Sequence, residues 1–397
     1  MRIHASESET LARATRRGVL LIALLLILAL ALGCGGDDPN PVIPIVEADG
    51  MLYDVAGKTG LAGNDGDEGP AANALLYWVV DLTVIPGGEM LVMDWNNHRI
   101  RKITADGTIH GFIGSGLVGD GVTGAGPTIN FNHPTEIRIG PDGNYYVAAY
   151  HNWKIKAFDA TTLECSIPVG TGRGFGGDNG PATACMMDLP SSLVFDAAGN
   201  MYIADQGNQR VRKVDAATQI ITTFAGGERG FADGVGEAAM FSWPGGTTTG
   251  TGTRGATLAL SPSGDEIYVT DPENHRVRKI NIATREVTTV AGTGVEGYAG
   301  DGGDALSAQL NFPSDLEFSA AGDLYIVEYG NNVIRKIDTA GIITTVVGTG
   351  AEGSSPNGTA ARQAKLNQPQ GIAFDKATNT LYVADTWNHM IKKVRNP

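Results

Sequence analysis

The sequence predicts an all-β protein, a six-bladed β-propeller with four-stranded antiparallel blades, and three observations support this fold class. Residues 199–227, GNMYIADQGNQRVRKVDAATQIITTFAGG, contain three short strand patterns separated by turn residues, which is typical of an antiparallel meander. The unit recurs with one asparagine in register, at Asn97, Asn152, Asn208, Asn274, Asn331 and Asn388. One small sheet cannot bury both of its faces, so six copies are expected to pack radially into a ring.

The two ends of the chain predict how this ring closes. Met51–Gly57, MLYDVAG, matches the fourth strand of other copies, such as VTTVAG at residues 287–292. The last copy stops at Val394, just after its third strand. We therefore expect the N-terminal strand to complete the last blade, because pairing the two ends removes the free edges of an open ring.

Three of the repeated segments carry a family resemblance. YIADQGNQRVRKV, YVTDPENHRVRKI and LYVADTWNHMIKKV resemble NHL repeats in their aromatic–aliphatic–Ala/Thr–Asp, Asn-His and Arg-Lys positions. The resemblance covers about 350 residues, roughly six repeats. It implies the propeller fold but says little about function, because propellers include lyases, lactonases and binding modules.

Residues 1–33 are interpreted as a signal peptide that is not part of the fold. Their apolar run, residues 19–32, follows a charged, arginine-containing start and is shorter than the about 20 residues that a membrane span needs. An uncleaved membrane anchor is the alternative. Both interpretations place the rest of the chain outside the cytoplasm.

Cys34 is the predicted lipidation site. It follows Ala31-Leu32-Gly33, a stretch similar to the lipobox of bacterial lipoproteins, in which the cysteine is lipidated and becomes the new N-terminus. Residues 34–46 then form a lipidated N-terminus and flexible Gly- and Pro-rich tether, and residues 47–397 form the propeller. The predicted location is the bacterial cell envelope, at the inner or the outer membrane.

The net charge weakens a nucleic-acid function. The chain carries −14, and the leader holds four Arg and two Glu, so the remainder is two charges more negative, −16. Such a body repels phosphates. We expect a monomer that contacts the membrane only through its lipid and binds a protein, peptide or glycan. The cations of the third strands are expected to be structural, with Arg212 pairing with Asp205.

Loop lengths separate the two faces of the ring. Tight turns join first to second and third to fourth strands, which defines the lower face. The asparagine-containing turns and the long Gly-rich crossings between blades share the upper face, where binding residues usually lie. Five aromatic residues of the asparagine-containing turns are candidate ligand contacts: Trp95, Tyr150, Trp153, Tyr329 and Trp387. For Trp78, Trp243 and Phe312, just before first strands, a structural role as wedges between blades is the preferred interpretation.

Three carboxylates stand where NHL repeats usually carry glycine. Asp81, Glu136 and Asp315 follow the start of first strands, which line the central channel, so we expect them to converge at its upper mouth as its most acidic spot. Gluconolactonase-like propellers hold a catalytic metal at this mouth, which implies a possible site for calcium or another divalent cation. No cofactor is firmly indicated. A zinc site at the repeat's own His98, His275 and His389 is not expected.

Two cysteines follow Cys34. Cys165 and Cys185 align with apolar positions of other repeats and are expected to remain unbridged.

The function favoured by the sequence is an envelope-anchored binding or interaction module that uses the upper face, and no catalytic residue is assigned. The alternative is a metal-dependent lactonase- or lyase-like enzyme with its site at the upper mouth of the channel.

Overall fold

A computed structural model describes residues 47–245 and 255–397. The leader at 1–33, the lipidation site Cys34 and the tether at 34–46 lie outside the described residues. The described residues form six antiparallel sheets. Within these two ranges, no helix is long and apolar enough to cross a membrane.

The strands up to the end of blade 1 are β1 (Met51–Gly57), β2 (Gly69–Pro70), β3 (Val79–Ile85), β4 (Glu89–Asp94), β5 (Arg99–Ile103) and β6 (Thr108–Ile113). Blade 2 contains β7 (Pro134–Ile139), β8 (Tyr145–Ala149), β9 (Lys154–Phe158) and β10 (Cys165–Val169). Blade 3 contains β11 (Gly180–Pro181), β12 (Pro190–Phe195), β13 (Met201–Asp205), β14 (Arg210–Val214) and β15 (Ile220–Gly226).

Blade 4 contains β16 (Gly234–Val235), β17 (Leu258–Leu260), β18 (Glu266–Asp271), β19 (Arg276–Asn281) and β20 (Glu286–Ala291). Blade 5 contains β21 (Gly303–Asp304), β22 (Pro313–Phe318), β23 (Leu324–Glu328), β24 (Val333–Ile337) and β25 (Ile342–Val347). Blade 6 contains β26 (Thr359–Ala360), β27 (Gly371–Asp375), β28 (Thr380–Asp385) and β29 (Met390–Arg395).

Three-residue 3₁₀ helices occupy two repeated places. One kind follows the second strand of each blade: Trp95–Asn97, Tyr150–Asn152, Gln206–Asn208, Pro272–Asn274, Tyr329–Asn331 and Thr386–Asn388. The other kind lies in the crossings: Ala71–Asn73, Gly126–Thr128, Ala182–Ala184, Gly236–Ala238, Ala305–Ser307 and Ala361–Gln363.

The four long strands of each blade lie side by side, with the first strand on the inside of the ring. In every sheet but that of blade 2, a two-residue strand from the preceding crossing adds a fifth strand at the outer edge. This extra strand was not anticipated, because two residues leave no periodic pattern in a sequence.

The ring closes through the N-terminal strand, as predicted. Strand β1 lies between β29 and β26, with Leu52 opposite Val394 on one side and opposite Thr359 on the other. Blade 6 is therefore built from both ends of the described chain.

Apolar side chains fill the space between neighbouring blades. One cluster joins Tyr202 of blade 3 to Ile267 and Val269 of blade 4, and burying each such side chain contributes about 1.5–3 kcal/mol. Trp243 belongs to this cluster, is 0% exposed and stacks on Phe241 with ring centroids 4.7 Å apart. The interpretation of Trp243 as a wedge is confirmed.

The repeated asparagine ties the crossing to the blade. Each of the six side chains donates from Nδ2 to a glycine carbonyl of the preceding crossing at 2.6–2.9 Å, in the pairs Asn97–Gly63, Asn152–Gly119, Asn208–Gly174, Asn274–Gly230, Asn331–Gly297 and Asn388–Gly353. In five blades the same amide also donates to the carboxylate that ends the second strand: Asp94, Asp205, Asp271, Glu328 or Asp385.

The third-strand arginines form buried ion pairs. Arg212 is fully buried and contacts Asp205 at 3.0 Å, as predicted, and Asp178 of the crossing at 2.6 Å. The same pattern recurs for Arg101 with Asp94 and Asp67, Arg278 with Asp271 and Asp233, and Arg335 with Glu328 and Asp301. The crossing aspartates thus serve as partners of arginine.

Both cysteines of the propeller are free thiols. Cys185 is buried and Cys165 is partly exposed.

Candidate functional site

The residue after the repeated asparagine latches one blade to the next. His98, His275 and His389 adopt the left-handed backbone conformation. Their Nδ1 atoms each accept a backbone N–H from the following blade. The pairs are His133 to His98 at 3.3 Å, Phe312 to His275 at 3.4 Å and Trp78 to His389 at 3.3 Å. The oxygens of Gln209 and Asn332 accept the equivalent N–H groups of Trp243 and Gln368 at 2.7 Å. The repeated histidines therefore serve three separate joints between blades.

Blade 2 departs from the repeat at several positions. Ala149 stands where five blades end the second strand with a carboxylate, and Lys156 stands where four blades carry the buried arginine. Trp153, with a donor in place of an acceptor, occupies the latch position. The two-residue outer strand is also missing from this sheet. Departures from structural rules concentrate at functional sites, so the upper turn of blade 2 is a candidate functional site.

A continuous series of rings covers this part of the upper face, and we call it the aromatic arc. It consists of Tyr329, Trp387, Trp78, Trp95, His133, His151 and Tyr150. Centroid distances are 5.1 Å for Trp387–Trp78, 6.0 Å for Trp78–Trp95 and 4.0 Å for Trp95–His133. The series continues with 5.0 Å for His133–His151 and 4.8 Å for His151–Tyr150. At the other end, the Trp387 side chain lies near the Tyr329 hydroxyl.

Exposure divides the arc into a contact layer and a supporting layer. Trp95 and Tyr150 are buried, at 8% and 7% exposed, whereas Trp78, Trp387 and Tyr329 are partly exposed. The Tyr150 hydroxyl accepts from Gln206 Nε2 at 2.9 Å, and the Tyr329 hydroxyl donates to Gln368 Oε1 at 2.8 Å. Four of the five predicted aromatic contacts are therefore brought together, although two of them mainly support the others.

Trp153, the fifth predicted contact, lies outside the arc. It has no ring partner in the part of the chain that the structure describes, and its indole Nε1 is buried. Trp78 belongs to the arc, although the preferred interpretation had been a structural wedge. His133 and His151 were missed altogether, and the signal that could have found them is the departure of blade 2 from the repeat.

The two new histidines form a hydrogen-bonded pair. His133 Nδ1 lies 2.9 Å from His151 Nδ1, and His133 Nε2 lies 3.2 Å from Asn96 Oδ1. Because the amide oxygen only accepts, Nε2 of His133 carries the proton and His151 donates to Nδ1 of His133. Burial, with His98 and His151 beside the ring, lowers the pKa of His133 to about 3. Burial also lowers the pKa of His98 and of His151, so this end of the arc is neutral at neutral pH.

Replacing His133 with Gln is expected to weaken the acid sensitivity of the protein. The pKa of His133 lies below its ordinary 6.5 in the folded state, so its contribution to stability is complete above about pH 6.5 and is lost as the pH falls towards 3. Between pH 7 and pH 5, the free energy of unfolding of His133→Gln is expected to fall by about 1–2 kcal/mol less than that of the wild type. Urea unfolding at both pH values measures this.

The matched control is His110→Gln. His110 lies 2.8 Å from Glu68 at the outer edge of blade 1, away from the arc. An acid dependence of His133→Gln equal to that of the wild type would contradict a desolvated His133.

The three predicted carboxylates lie in three different blades and are buried, at 0%, 0% and 1% exposed for Asp81, Glu136 and Asp315. Glu136 Oε2 accepts the backbone N–H of Leu193 in blade 3 at 2.8 Å. Asp315 Oδ2 accepts that of Ile372 in blade 6 at 2.8 Å. Glu136 and Asp315 therefore act as struts between neighbouring inner strands.

Other residues of this register make comparable contacts. Ser192 Oγ accepts the backbone N–H of Leu258 at 3.0 Å. A Cβ on Gly371 would lie 2.5 Å from the carbonyl oxygen of Val80, so glycine is required where blade 6 approaches blade 1. The contact with the neighbouring inner strand thus determines which residue occupies this register.

The three carboxylates are buried, and Glu136 and Asp315 each accept a backbone N–H of a neighbouring inner strand. Their convergence at the upper mouth as its most acidic spot stays a prediction. Among the described residues, no three His, Cys, Asp or Glu side chains are grouped so as to hold a metal ion. Calcium binding stays a prediction, and it would need a different set of ligands from these three.

Glu136→Gln is expected to destabilise the propeller by about 1–3 kcal/mol. The amide can still accept from Leu193, but it removes the charge that pairs with Arg138 inside the ring. Urea unfolding measures the change. Glu89→Gln is the control, because Glu89 pairs with Lys102 where both side chains are over a quarter exposed, and such pairs contribute about 0–1 kcal/mol. Equal stability of the two variants would contradict the strut.

Comparison with known proteins supports the repeat assignment. Residues 251–357 match the model described as Teneurin NHL domain, and residues 366–394 match the NHL repeat. The chain is 30% identical over 267 residues to Protein SUPPRESSOR OF QUENCHING 1, chloroplastic, of Arabidopsis thaliana, covering 63% of this chain and 24% of that protein. It is 28% identical over 295 residues to NHL repeat-containing protein 2 of Gallus gallus, covering 66% and 38%. The chain thus spans well under half the length of these relatives.

A solved structure shows the same architecture. An auxiliary nutrient binding protein from Bacteroides thetaiotaomicron superimposes with a TM-score of 0.63 over 86% of this chain and 75% of that one. The two are 15% identical, so the likeness concerns the fold. With six blades, an asparagine anchoring every crossing and the matches to the repeat itself, the protein is an NHL-repeat six-bladed β-propeller.

Proposed function

We propose that this propeller is a binding module of the bacterial cell envelope that engages a protein, peptide or glycan through the aromatic arc. The observation that carries the proposal is the continuous series of rings across blades 6, 1 and 2 on the long-loop face, with Tyr329 of blade 5 beside its end. The turn of blade 2, where the sequence departs from the repeat, lies at the end of that series.

The chemistry of the arc suits recognition. Trp and Tyr provide large contact areas with few rotatable bonds, and they are enriched among residues that dominate binding energy. Trp95 and Tyr150 are buried behind the partly exposed rings, so the contact layer rests on a packed support. The neutral His133–His151 pair adds polar contacts without a positive charge.

The proposed location rests on the leader and on Cys34. A lipid on Cys34 and the tether at 34–46 would hold the propeller clear of a membrane surface. The fold neighbour described as an auxiliary nutrient binding protein is compatible with a binding role outside the cytoplasm. The alternative, a metal-dependent lactonase or lyase at the channel mouth, gains no support from the buried carboxylates.

Glycan and peptide arrays probed with the purified protein test the arc. Trp78→Ala and Trp387→Ala are expected to weaken every array signal by about tenfold or more, because each removes a ring of the contact layer. Phe175→Ala is the control, since Phe175 is an aromatic residue in the crossing to blade 3 that is more exposed, at 44%, than either tryptophan. Binding that survives both tryptophan changes but not the control change would overturn the assignment.

Palmitate labelling in a bacterial host tests the anchor. We expect the full-length chain to incorporate label and to fractionate with membranes, and Cys34→Ser to do neither. Label retained by Cys34→Ser would contradict lipidation at this residue.

A further inference from the structure

A second recess opens on the lower face of the ring, opposite the aromatic arc. It is a cavity of about 720 Å³ at the inner end of the tight turns at 86–88 and 375–378, and a smaller one of about 230 Å³ adjoins it. Arg138, Glu317 and Lys376 line both, so we treat them as one space and call it the lower vestibule. Its volume falls within the range of small-molecule sites, about 300–1,000 Å³.

The walls of the vestibule are mostly apolar. Val84 of the larger part and Phe195 and Leu260 of the smaller part are partly exposed to it, and Ile139 is 39% exposed. Charges placed against such walls interact more strongly than in open water, because less solvent screens them. The charged side chains of the vestibule are therefore its most informative feature.

Opposite charges lie on opposite sides of the ring. Arg138 belongs to blade 2 and Glu317 to blade 5, and these blades face each other across the channel. Both side chains are largely buried, at 22% and 24% exposed.

Each charge is also held in place. Arg138 pairs with the buried Glu136 and donates to Thr83 Oγ1 at 3.2 Å. Glu317 contacts Lys376 at 3.3 Å. Arg138 is therefore held by residues of blades 1 and 2, and Glu317 by Lys376 of blade 6.

We propose that the lower vestibule binds a small zwitterion, an α-amino acid or a short peptide. The ligand's carboxylate faces the Arg138 guanidinium, which suits planar carboxylates. Its ammonium group faces Glu317, and a small aliphatic side chain contacts the apolar wall. This site is separate from the aromatic arc and does not depend on the function proposed for it.

Calorimetric titration of the full-length protein with dialanine tests the proposal. N-acetylalanine, which keeps only the carboxylate, and alaninamide, which keeps only the ammonium group, serve as matched ligands. Dialanine is expected to bind about tenfold or more tightly than either one, because each half-ligand loses one charged contact. Trp78→Ala is expected to leave dialanine binding unchanged.

Two variants test the two walls. Glu317→Gln is expected to weaken the binding of dialanine about tenfold and to leave the binding of N-acetylalanine unchanged. Arg138→Gln is expected to weaken the binding of N-acetylalanine. If this variant unfolds because Glu136 loses its partner, Glu317→Gln and Lys376→Met still test the site. Lys376→Met is expected to keep dialanine binding. Absence of dialanine binding at millimolar concentration, N-acetylalanine binding as tightly as dialanine, or wild-type binding by Glu317→Gln would each overturn the zwitterion site.

Discussion

Deletion of residues 47–57 is expected to remove most of the stability of the propeller. Strand β1 carries Leu52 and Tyr53, which are 1% and 6% exposed, and pairs with β29 along its length. Losing two such side chains costs about 3–6 kcal/mol before the lost strand pairing is counted. The total stability of a folded domain is only about 5–15 kcal/mol. The deletion also exposes an unpaired edge in blade 6.

Thermal unfolding followed by circular dichroism measures this effect. We expect the deleted chain to show no cooperative transition or to aggregate. Deletion of residues 35–46 is the control, because it shortens the chain before β1 and leaves the ring intact. A chain without residues 47–57 that melts with the wild type would contradict closure by terminal pairing.

Arg212→Met is expected to destabilise the propeller by about 3–5 kcal/mol, because it leaves the buried carboxylate of Asp205 without its cation. Both side chains are 0% exposed and lie 3.0 Å apart. Adding Asp205→Ala to Arg212→Met is expected to restore part of the loss, since no unpaired charge is then buried. Blade 2 already tolerates Ala149 and Lys156 at these two positions.

Urea unfolding of both variants measures the loss, with Lys213→Met as the control. Lys213 is the next residue of the same strand and is partly exposed, so its change is expected to stay within about 0.5 kcal/mol. If Arg212→Met proves as stable as Lys213→Met, the buried pair contributes nothing to stability.

The fold could be predicted from the sequence because its information is repeated. Six copies of one asparagine fix the blade number, and the missing fourth strand of the last copy fixes the closure. The pairing of Arg212 with Asp205 followed from strand periodicity alone. The crossing partner Asp178 did not, because its contact with Arg212 depends on how a Gly-rich loop folds back over the blade.

The site was predicted in part. Position within the repeat placed Trp95 and Trp387 on the upper face, but it could not say that Trp95 would be buried beneath its neighbours. The burial of the three carboxylates was not anticipated, for a related reason. Periodicity shows which side of a strand a residue occupies, whereas the distance to the next blade decides whether Glu136 meets solvent or the backbone of Leu193.

Hydrogen–deuterium exchange of the full-length protein, with and without the strongest array ligand, tests the central claim most directly. We expect slower exchange in the upper-face segments at 77–78, 95–98, 150–153 and 386–389, which carry the aromatic arc. We expect no change in the outer strands β15 and β20. Protection confined to the lower-face turns or to the outer strands, with the four arc segments unchanged, would contradict a binding module that works through the aromatic arc.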